Sequence, residues 1–253
     1  MNKARYGFVL FSCLLLMHAC KKSSSNSEVN LTKGLLAYYP FNGNANDASG
    51  NAFNGSIKGN VSFTNDAGGK PNSAVSFDGS TGYIIVNDSS DKLVPDVLSI
   101  SMLVNLTDVT GRDAFLNKVN FNDATGLSYS IGIASPGIEK FQYVVQTDDF
   151  GCTSGNYSGI YFMDNGYQIQ PNQWYHLVAV FSDSMQKIYL NGVLKASATR
   201  DNNSINRCVG SSLLLGGWWK NDIISMHGSL DEVRIYNREL NQVEINQLAK
   251  AID

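Results

Sequence analysis

Histidine and cysteine are scarce in this chain, and their scarcity excludes several kinds of active site. There are 3 His and 4 Cys among 253 residues, and no two Cys have the spacing of a Cys-x-x-Cys metal site. No Gly-x-Ser-x-Gly motif and no phosphate-binding loop occurs, so neither a nucleophile elbow nor a nucleotide cradle is predicted. The 19 Lys and Arg residues are scattered, which argues against a nucleic-acid surface.

The stretch from Gln173 to Ala198 predicts three consecutive antiparallel strands. Residues 174–181 are apolar except for His176, as in a strand that is covered on both faces. After an alternating run, Asn191-Gly192 has the sequence of a type I′ hairpin turn, in which both central residues take positive φ. A meander of this kind needs a second sheet to cover it.

Short strand-like runs continue on either side of this stretch, separated by turns rich in Gly, Asn and Asp. We predict strands at 34–41, 56–63, 73–77, 83–86, 98–106, 114–119, 127–134, 138–147, 212–219 and 226–236. A short closing helix is capped by Asn241, and Glu244 three residues later completes a capping box. Many short strands with one terminal helix indicate an all-β sandwich or barrel in a single domain.

The first residues have the features of a targeting segment. Basic residues precede an apolar run over 8–17 that is too short to span a bilayer, and a small residue then precedes Cys20. This resembles a bacterial lipoprotein signal, which implies acylation of Cys20 and a lipid-anchored protein of the cell envelope. An ordinary secretory signal is the alternative. We predict a signal peptide over 1–19, a flexible tether over 20–33 and one domain over 34–253.

Cys152 and Cys208 remain in the mature chain if Cys20 carries lipid. An even pair in an oxidising compartment predicts a disulfide. Both residues lie in segments rich in Gly, Ser and Asn. The bond would tie the loop at 146–159 to the strand that leads into Trp218.

Four stretches carry a resemblance to a known family. They read GLLAYYPFNGNANDASGNAFNG at 34–55, SAVSFDGSTGYIIV at 73–86, QWYHLVAVFSDSMQKIYLNGVL at 173–194 and GSLDEVRIYNRELNQVEI at 228–245. In order and content they resemble the laminin-G-like jelly roll of bacterial envelope proteins, within the concanavalin A-like superfamily. The resemblance implies two antiparallel sheets, one concave, with the first and last strands adjacent. It does not imply one activity, because this fold hosts lectins, glycosidases and protein-binding modules.

The acidic residues do not predict catalysis. A retaining glycosidase needs two carboxylates roughly 5 Å apart, and relatives that hydrolyse β-glucans carry them in a Glu-x-Asp motif that none of the five Glu here begins. Asp231 and Glu232 are adjacent on a predicted strand, where neighbouring side chains point to opposite faces. His176 and His227 are expected to be satisfied within the sheets. We therefore predict that the protein is not an enzyme.

Aromatic residues in loops are the remaining signal of function. Flat aromatic faces stack on the apolar side of sugar rings, and Asp or Asn nearby binds the hydroxyls. This favours a glycan-binding module that binds through its concave face and a rim of loops, with a protein-binding or adhesion module as the alternative and a glycoside hydrolase as a weaker one. Any single aromatic could instead belong to the core. The residues predicted to bind ligand are Trp218, Trp219, Asp148, Phe150, Tyr157 and Tyr161.

The loop over 42–55 is rich in side-chain oxygens and predicts a structural calcium site. Calcium takes about six to eight oxygens in irregular geometry. The resemblance implies that calcium-bound members of the fold use oxygens from the loop after the first strand and from the last strand. We carry this over to Asp47 and Asp231, with Asn42 and Asn51 as further ligands. The alternative is that Asp47 caps a turn and Asp231 pairs with a neighbouring Lys or Arg.

Overall fold

The computed structural model describes most of the predicted domain. The described residues are 1, 29–109, 113–120, 122, 126–133, 140–147, 152, 158–161 (backbone only), 169–201, 204–208, 210–218 and 221–252. They contain fifteen strands, one α-helix and a 3₁₀ turn at Lys250–Ile252. The elements are β1 (Leu35–Tyr39), β2 (Gly55–Lys58), β3 (Val61–Thr64), β4 (Ala74–Asp78), β5 (Tyr83–Asn87), β6 (Leu98–Leu106), β7 (Ala114–Val119), β8 (Leu127–Ile133), β9 (Phe141–Val145), β10 (Ser158–Tyr161), β11 (Trp174–Ser182), β12 (Met185–Leu190), β13 (Val193–Thr199), β14 (Ser212–Leu215), β15 (His227–Tyr236) and α1 (Gln242–Ala249).

Two antiparallel sheets pack face to face, which confirms the predicted all-β jelly-roll sandwich. The first sheet has the order β13-β12-β11-β6-β15-β4-β3, and the second has the order β10-β9-β8-β7-β14-β5-β2. The first strand also pairs with the last, from Leu35 opposite Tyr236 to Tyr39 opposite Val233. The two ends of the chain are therefore held together, as the resemblance implies.

The central meander folds as the sequence predicts. β11 sends Leu177, Ala179 and Phe181 into the core between the sheets. Its outward residues Val178 and Val180 are covered by the cluster that α1 contributes, which explains why this strand is apolar on both faces. Asn191 and Gly192 have φ of 48° and 80°, so the type I′ hairpin prediction is confirmed.

The closing helix is fixed at its N-terminus by the predicted capping box. The side chain of Asn241 accepts the N–H groups of Val243 and Glu244, and the Glu244 carboxylate accepts the N–H of Asn241. Contacts of the folded domain also extend into the predicted tether. Leu31 packs against the α1 cluster, and Arg238 Nε donates to the carbonyl of Lys33 at 2.7 Å.

The predicted strand at 56–63 is wrong as a single element. It divides into β2 and β3, which belong to different sheets. Gly59 makes the break, with φ of +64° and a position at which a Cβ would lie 2.1 Å from the carbonyl oxygen of Thr81. The predicted strand at 212–219 likewise ends early, at Leu215, because Gly216 has φ of +71° and lies directly on the ring of Phe77.

A lysine is buried inside the sandwich, which the sequence analysis did not predict. Lys118 on β7 is 0% exposed and lies opposite the core residues Leu213 and Tyr129. Its ammonium contacts Asp91 Oδ1 at 3.0 Å, Asp88 Oδ2 at 3.2 Å and the carbonyl of Ser211 at 2.9 Å. The charge is thus paired and hydrogen-bonded, as burial of an ammonium requires.

Candidate functional site

The residues that flank strand β14 are used to name the two ends of the sandwich. Cys208 precedes this strand and Trp218 follows it, so we call the two ends the Cys208 end and the Trp218 end. β5 and β7 run antiparallel to β14 on either side. Both strands therefore begin at the Trp218 end and finish at the Cys208 end.

An apolar cluster covers the outer face of the second sheet, and we call it the outer-face cluster. Its buried members are Val119, Leu127, Val144 and Leu214, and the partly buried Tyr83 and Trp218 pack against them. The neighbours of these residues along each strand, such as Val145 and Leu213, belong to the core instead. The cluster therefore lies on the side of the sheet that faces away from the first sheet. Tyr83 and Trp218 form its partly exposed margin.

Trp218 is held in place by the glycine pair before it and by a buried amide. Asn117 Nδ2 donates to the carbonyl of Gly217 at 2.8 Å, and the N–H of Trp218 donates to the carbonyl of Ile223 at 2.6 Å. A Cβ on Gly217 would lie 2.8 Å from the Cβ of Tyr83. Glycine is therefore required for the Trp218 segment to lie against Tyr83. Tyr83 and Asn117 are not predicted from the sequence, although the Gly216-Gly217 pair indicates a close backbone approach.

The other predicted ligand residues fall mostly outside the described residues. Trp219, Asp148, Phe150 and Tyr157 are among those outside, and only the backbone of Tyr161 is described. Tyr161 is the last residue of β10 and pairs with Gln142.

The 148–157 segment leaves the sheet at the end opposite Trp218, as its two flanking strands show. β9 finishes at Val145 and β10 begins opposite it at Ser158. Val145 pairs with Tyr129, which pairs with Lys118 near the Cys208 end. In the described residues, Trp218 and the strand ends that flank this segment therefore lie at opposite ends of the sheet and do not form one rim. Tyr161, at the far end of β10, lies toward the Trp218 end.

The predicted disulfide between Cys152 and Cys208 is present, with the two Cα atoms 5.5 Å apart. Cys208 Sγ lies 3.9 Å from the carbonyl oxygen of Leu127, at the start of β8. The bond thus fixes Cys152 beside the Cys208 end of the outer-face cluster. It is separated from Trp218 by the length of β14.

The Asp47 carboxylate organises the loop after β1 through four hydrogen bonds. Oδ1 accepts the N–H groups of Tyr38 at 2.9 Å and Ser49 at 2.8 Å, and Oδ2 accepts the Ser49 hydroxyl at 2.8 Å and the Phe53 N–H at 3.0 Å. A carboxylate has about four lone-pair positions. Asp47 would therefore have to give up protein donors in order to bind a metal ion.

The other predicted calcium ligands make separate contacts. Asn42 Oδ1 accepts from the ammonium of Lys70 at 2.9 Å, and Asn51 Nδ2 donates to the carbonyl of Leu36 at 2.9 Å. In the part of the chain that the structure describes, no group of three or more His, Cys, Asp or Glu is placed to hold a metal ion. These residues fit a calcium site poorly as they stand, and calcium binding stays a prediction.

Asp231 is buried on the outer face of the first sheet and has a strongly perturbed pKa. It is 4% exposed, and its Oδ1 accepts the N–H of Glu232 at 2.7 Å. Burial raises the pKa of Asp231 to about 8, and the nearby Glu232 and Asp66 carboxylates add to the rise. Asp231 is therefore mostly protonated at neutral pH.

The expectation that Asp231 and Glu232 point to opposite faces is wrong. The register of β15 against β6 shifts between Asp231 and Arg234, and Glu232 takes φ of 52° in this bulge. The Glu232 carboxylate turns to the outer face, where it accepts the hydroxyl of Tyr38 at 2.7 Å and pairs with Arg234. The Asp231 carboxyl is thus buried and hydrogen-bonded to the backbone, and the Glu232 carboxylate is paired with Arg234.

Each of the two described histidines has a polar partner within the fold. His176 Nε2 lies 2.9 Å from Ser101 Oγ, and burial lowers the pKa of His176 to about 4. His227 Nδ1 lies 2.7 Å from Asp108 Oδ2 at the start of β15. The prediction holds for His227, whereas His176 is bonded through Nε2 only and its buried Nδ1 has no hydrogen-bond partner among the described residues.

Comparison with protein families decides the classification. The model of Laminin_G_3, described as the concanavalin A-like lectin/glucanases superfamily, matches residues 78–246. The chain belongs to this family. The prediction from the four sequence stretches is thereby confirmed. No curated protein matches the chain.

Several solved structures are similar to this Laminin_G_3 chain. Domain 4 of AbnA, a GH43 extracellular arabinanase from Geobacillus stearothermophilus in complex with arabinotriose, matches at a TM-score of 0.61 and 22% identity, over 85% of this chain and 98% of that one. The binding domain of botulinum neurotoxin DC in complex with SialylT matches at 0.65 and 16%, over 88% and 53%. The binding domain of Paraclostridial Mosquitocidal Protein 1 matches at 0.66 and 16%, over 87% and 52%. The chain thus spans about half the length of the toxin domains, and these likenesses show the fold.

Proposed function

We propose that this protein is a non-catalytic carbohydrate-binding module held at the cell envelope. The observation that carries the proposal is the outer-face cluster with Tyr83 and Trp218 at its margin. An indole ring held on a fixed backbone offers a flat apolar surface to a sugar ring at little entropic cost. The arabinotriose complex of AbnA domain 4, a domain of nearly the same size and fold, supports a carbohydrate as the class of ligand.

The absence of catalysis is part of the same proposal. Asp231 and Glu232 are engaged in the fold, on the face opposite to the outer-face cluster. The seven strands of the second sheet contain no Asp or Glu at all. A retaining glycosidase on that sheet would need two carboxylates.

Replacement of Trp218 by Ala tests the glycan-binding proposal. Loss of one stacking ring is expected to weaken binding by about 1 kcal/mol, or about fivefold in Kd. Arabinotriose, lactose and a glycan array are suitable probes for titration against the protein from Ser23 onward. The Trp174→Ala variant is the matched control, because Trp174 is also partly buried but begins β11 on the first sheet.

The two variants separate glycan binding from the protein-binding alternative. A glycan whose affinity falls in Trp218→Ala and not in Trp174→Ala supports the proposal. If no glycan binds the wild-type protein, or if Trp218→Ala binds every glycan as well as the wild type does, the proposal is wrong. A partner protein captured through the same face would then be the better interpretation.

A further inference from the structure

The margin of the outer-face cluster continues from Trp218 and Tyr83 to a lysine. Lys58 on β2 pairs directly with Tyr83 on β5 in the antiparallel register. Residues opposite each other in such a pair share a face, with Cβ atoms about 4.5–5.5 Å apart. Tyr83 in turn touches the Trp218 segment through Gly217. Lys58, Tyr83 and Trp218 therefore form one row at the Trp218 end of the second sheet, which we call the Lys58 row.

Lys58 is exposed and makes no ion pair with any described residue. The other cation on the strands of the second sheet, Lys118, is buried on the opposite face and paired with Asp88 and Asp91. Exposed Lys58 is thus the cation that these strands offer to a ligand on the outer face.

The charge of this sheet differs from that of the whole protein. The chain carries a formal charge of −3, whereas the strands of the second sheet contain two Lys and no Asp or Glu. On these strands an anion meets a cation and no carboxylate, and the exposed Asp222 lies in the turn whose Ile223 accepts the N–H of Trp218. A surface of this kind favours acidic partners and disfavours basic ones.

We propose that the Lys58 row binds a carboxylate-bearing sugar, an inference that rests on the proposed glycan-binding function. The sugar ring stacks on Trp218 and Tyr83, and its carboxylate pairs with the Lys58 ammonium at the end of the row. An ammonium acts as a point charge for such a group. Aromatic stacking provides contact area, and the ion pair distinguishes an acidic sugar from its neutral counterpart.

Two pairs of probes test this inference, and the members of each pair differ in whether they carry free carboxylates. One pair is 3′-sialyllactose and lactose, and the other is trigalacturonic acid and its methyl ester. Wild-type protein is expected to bind the acidic member of at least one pair more tightly. Lys58→Gln should remove most of that preference, about fivefold or less for an exposed ion pair, and leave the neutral member unchanged. The preference should also shrink at about 0.5 M salt.

Lys92→Gln is the control, because Lys92 is likewise exposed but lies in the loop that follows β5 at the Cys208 end. It should keep the acidic preference. The inference is overturned if the acidic member binds no more tightly than its neutral counterpart in both pairs, or if Lys58→Gln retains the full preference. Neutral glycans that bind through Trp218 in the same titrations would show that the proposed function stands without the acidic specificity.

Discussion

The carboxylate of Asp47 accepts the backbone N–H of Tyr38 at 2.9 Å, and this bond joins the loop after β1 to the strand from which it leaves. Three further donors converge on the same carboxylate. One acidic residue thus holds a loop that otherwise consists of Asn, Ser, Ala and Gly together with Phe53. The loop in turn lies beside β1, whose pairing with β15 closes the two ends of the chain.

Asp47→Asn should destabilise the protein by about 2 kcal/mol. The new amide NH₂ is a donor and would face N–H or O–H donors whose hydrogen bonds a carboxylate oxygen now accepts. The measurement is the free energy of unfolding in urea. Asp183→Asn is the control, since Asp183 is exposed in the turn between β11 and β12. Equal stability of Asp47→Asn and the wild type would show that the loop does not depend on this carboxylate.

A melt with calcium and with chelator distinguishes the hydrogen-bonded loop from the predicted calcium site. Binding to the native state alone raises the melting midpoint. If the four donors keep the Asp47 carboxylate from the ion, the midpoint is the same under both conditions. A higher midpoint in millimolar calcium, lost in both Asp47→Asn and Asp231→Asn, would support the site that the family resemblance predicts.

The buried carboxyl of Asp231 should make stability fall as the pH rises. Its pKa is raised to about 8 in the folded protein, mainly by burial. Between about pH 4 and pH 8 the unfolded chain therefore loses a proton from Asp231 that the folded protein keeps, so the contribution of Asp231 to the free energy of unfolding decreases over this window. Asp231→Asn removes the titrating group. Its stability relative to the wild type should be greater at about pH 8 than at about pH 5.

Asp113 provides a matched control for this effect. Burial raises its pKa to about 6, so its contribution has the same sign but is complete at lower pH. Asp113→Asn should therefore leave the slope of stability between about pH 7 and pH 8 unchanged, whereas Asp231→Asn should reduce it. Identical slopes for Asp231→Asn and the wild type would contradict the shifted pKa.

Lys118→Met should cost about 3 kcal/mol or more of folding stability, because it leaves Asp88 and Asp91 in the sandwich without their ammonium partner. Equilibrium unfolding measures this loss. Lys92→Met is the control, because Lys92 is exposed in the loop that carries Asp88 and Asp91. It should change stability by less than about 0.5 kcal/mol. A similar small effect at Lys118 would mean that the two carboxylates find other partners.

Most strands and turns could be predicted because side-chain patterning and turn dihedrals depend on residues that are adjacent in the sequence. The continuous apolar run at 174–181 predicted that β11 is covered on both faces, and positive φ at Asn191-Gly192 follows from the turn sequence itself. The bulge at Glu232 was missed because it depends on how β15 meets both β4 and β1 along one edge.

Longer-range features needed the topology. Lys118 looks like a surface residue in the sequence, and its partners Asp91 and Ser211 come from segments 27 and 93 residues away. The predicted ligand rim joined Trp218 to the 148–157 segment because both carry aromatic residues in loops and the disulfide ties that segment to the strand leading into Trp218. The directions of β9, β10 and β14 place Trp218 and this segment at opposite ends of the sheet. Those directions are set by the order of strands in the sheet.

Anchoring through Cys20 remains a prediction, and the fold shows what it would achieve. Cys20 lies outside the described residues, and no helix among the described residues is long and apolar enough to cross a membrane. β4 and β5 are joined by a short turn at the Trp218 end, where β15 begins opposite Asp78. The other end of β15 meets the start of β1. The chain therefore enters the domain at the Cys208 end, and the ten residues of β15, at about 3.3 Å each, separate that point from Trp218.

Cys20→Ala should release the protein into the soluble fraction, since acyl chains hold a protein at a membrane by about 0.8 kcal/mol per buried CH₂. The released protein should bind glycans with the affinity of the anchored form, because β1 starts at the end of the domain opposite the Lys58 row. Fractionation and glycan titration on both forms measure the two effects. A Cys20→Ala variant that still sediments with membranes would mean that another feature holds the protein there. A variant that is released but binds glycans more tightly would mean that the anchored protein turns the Lys58 row toward the bilayer.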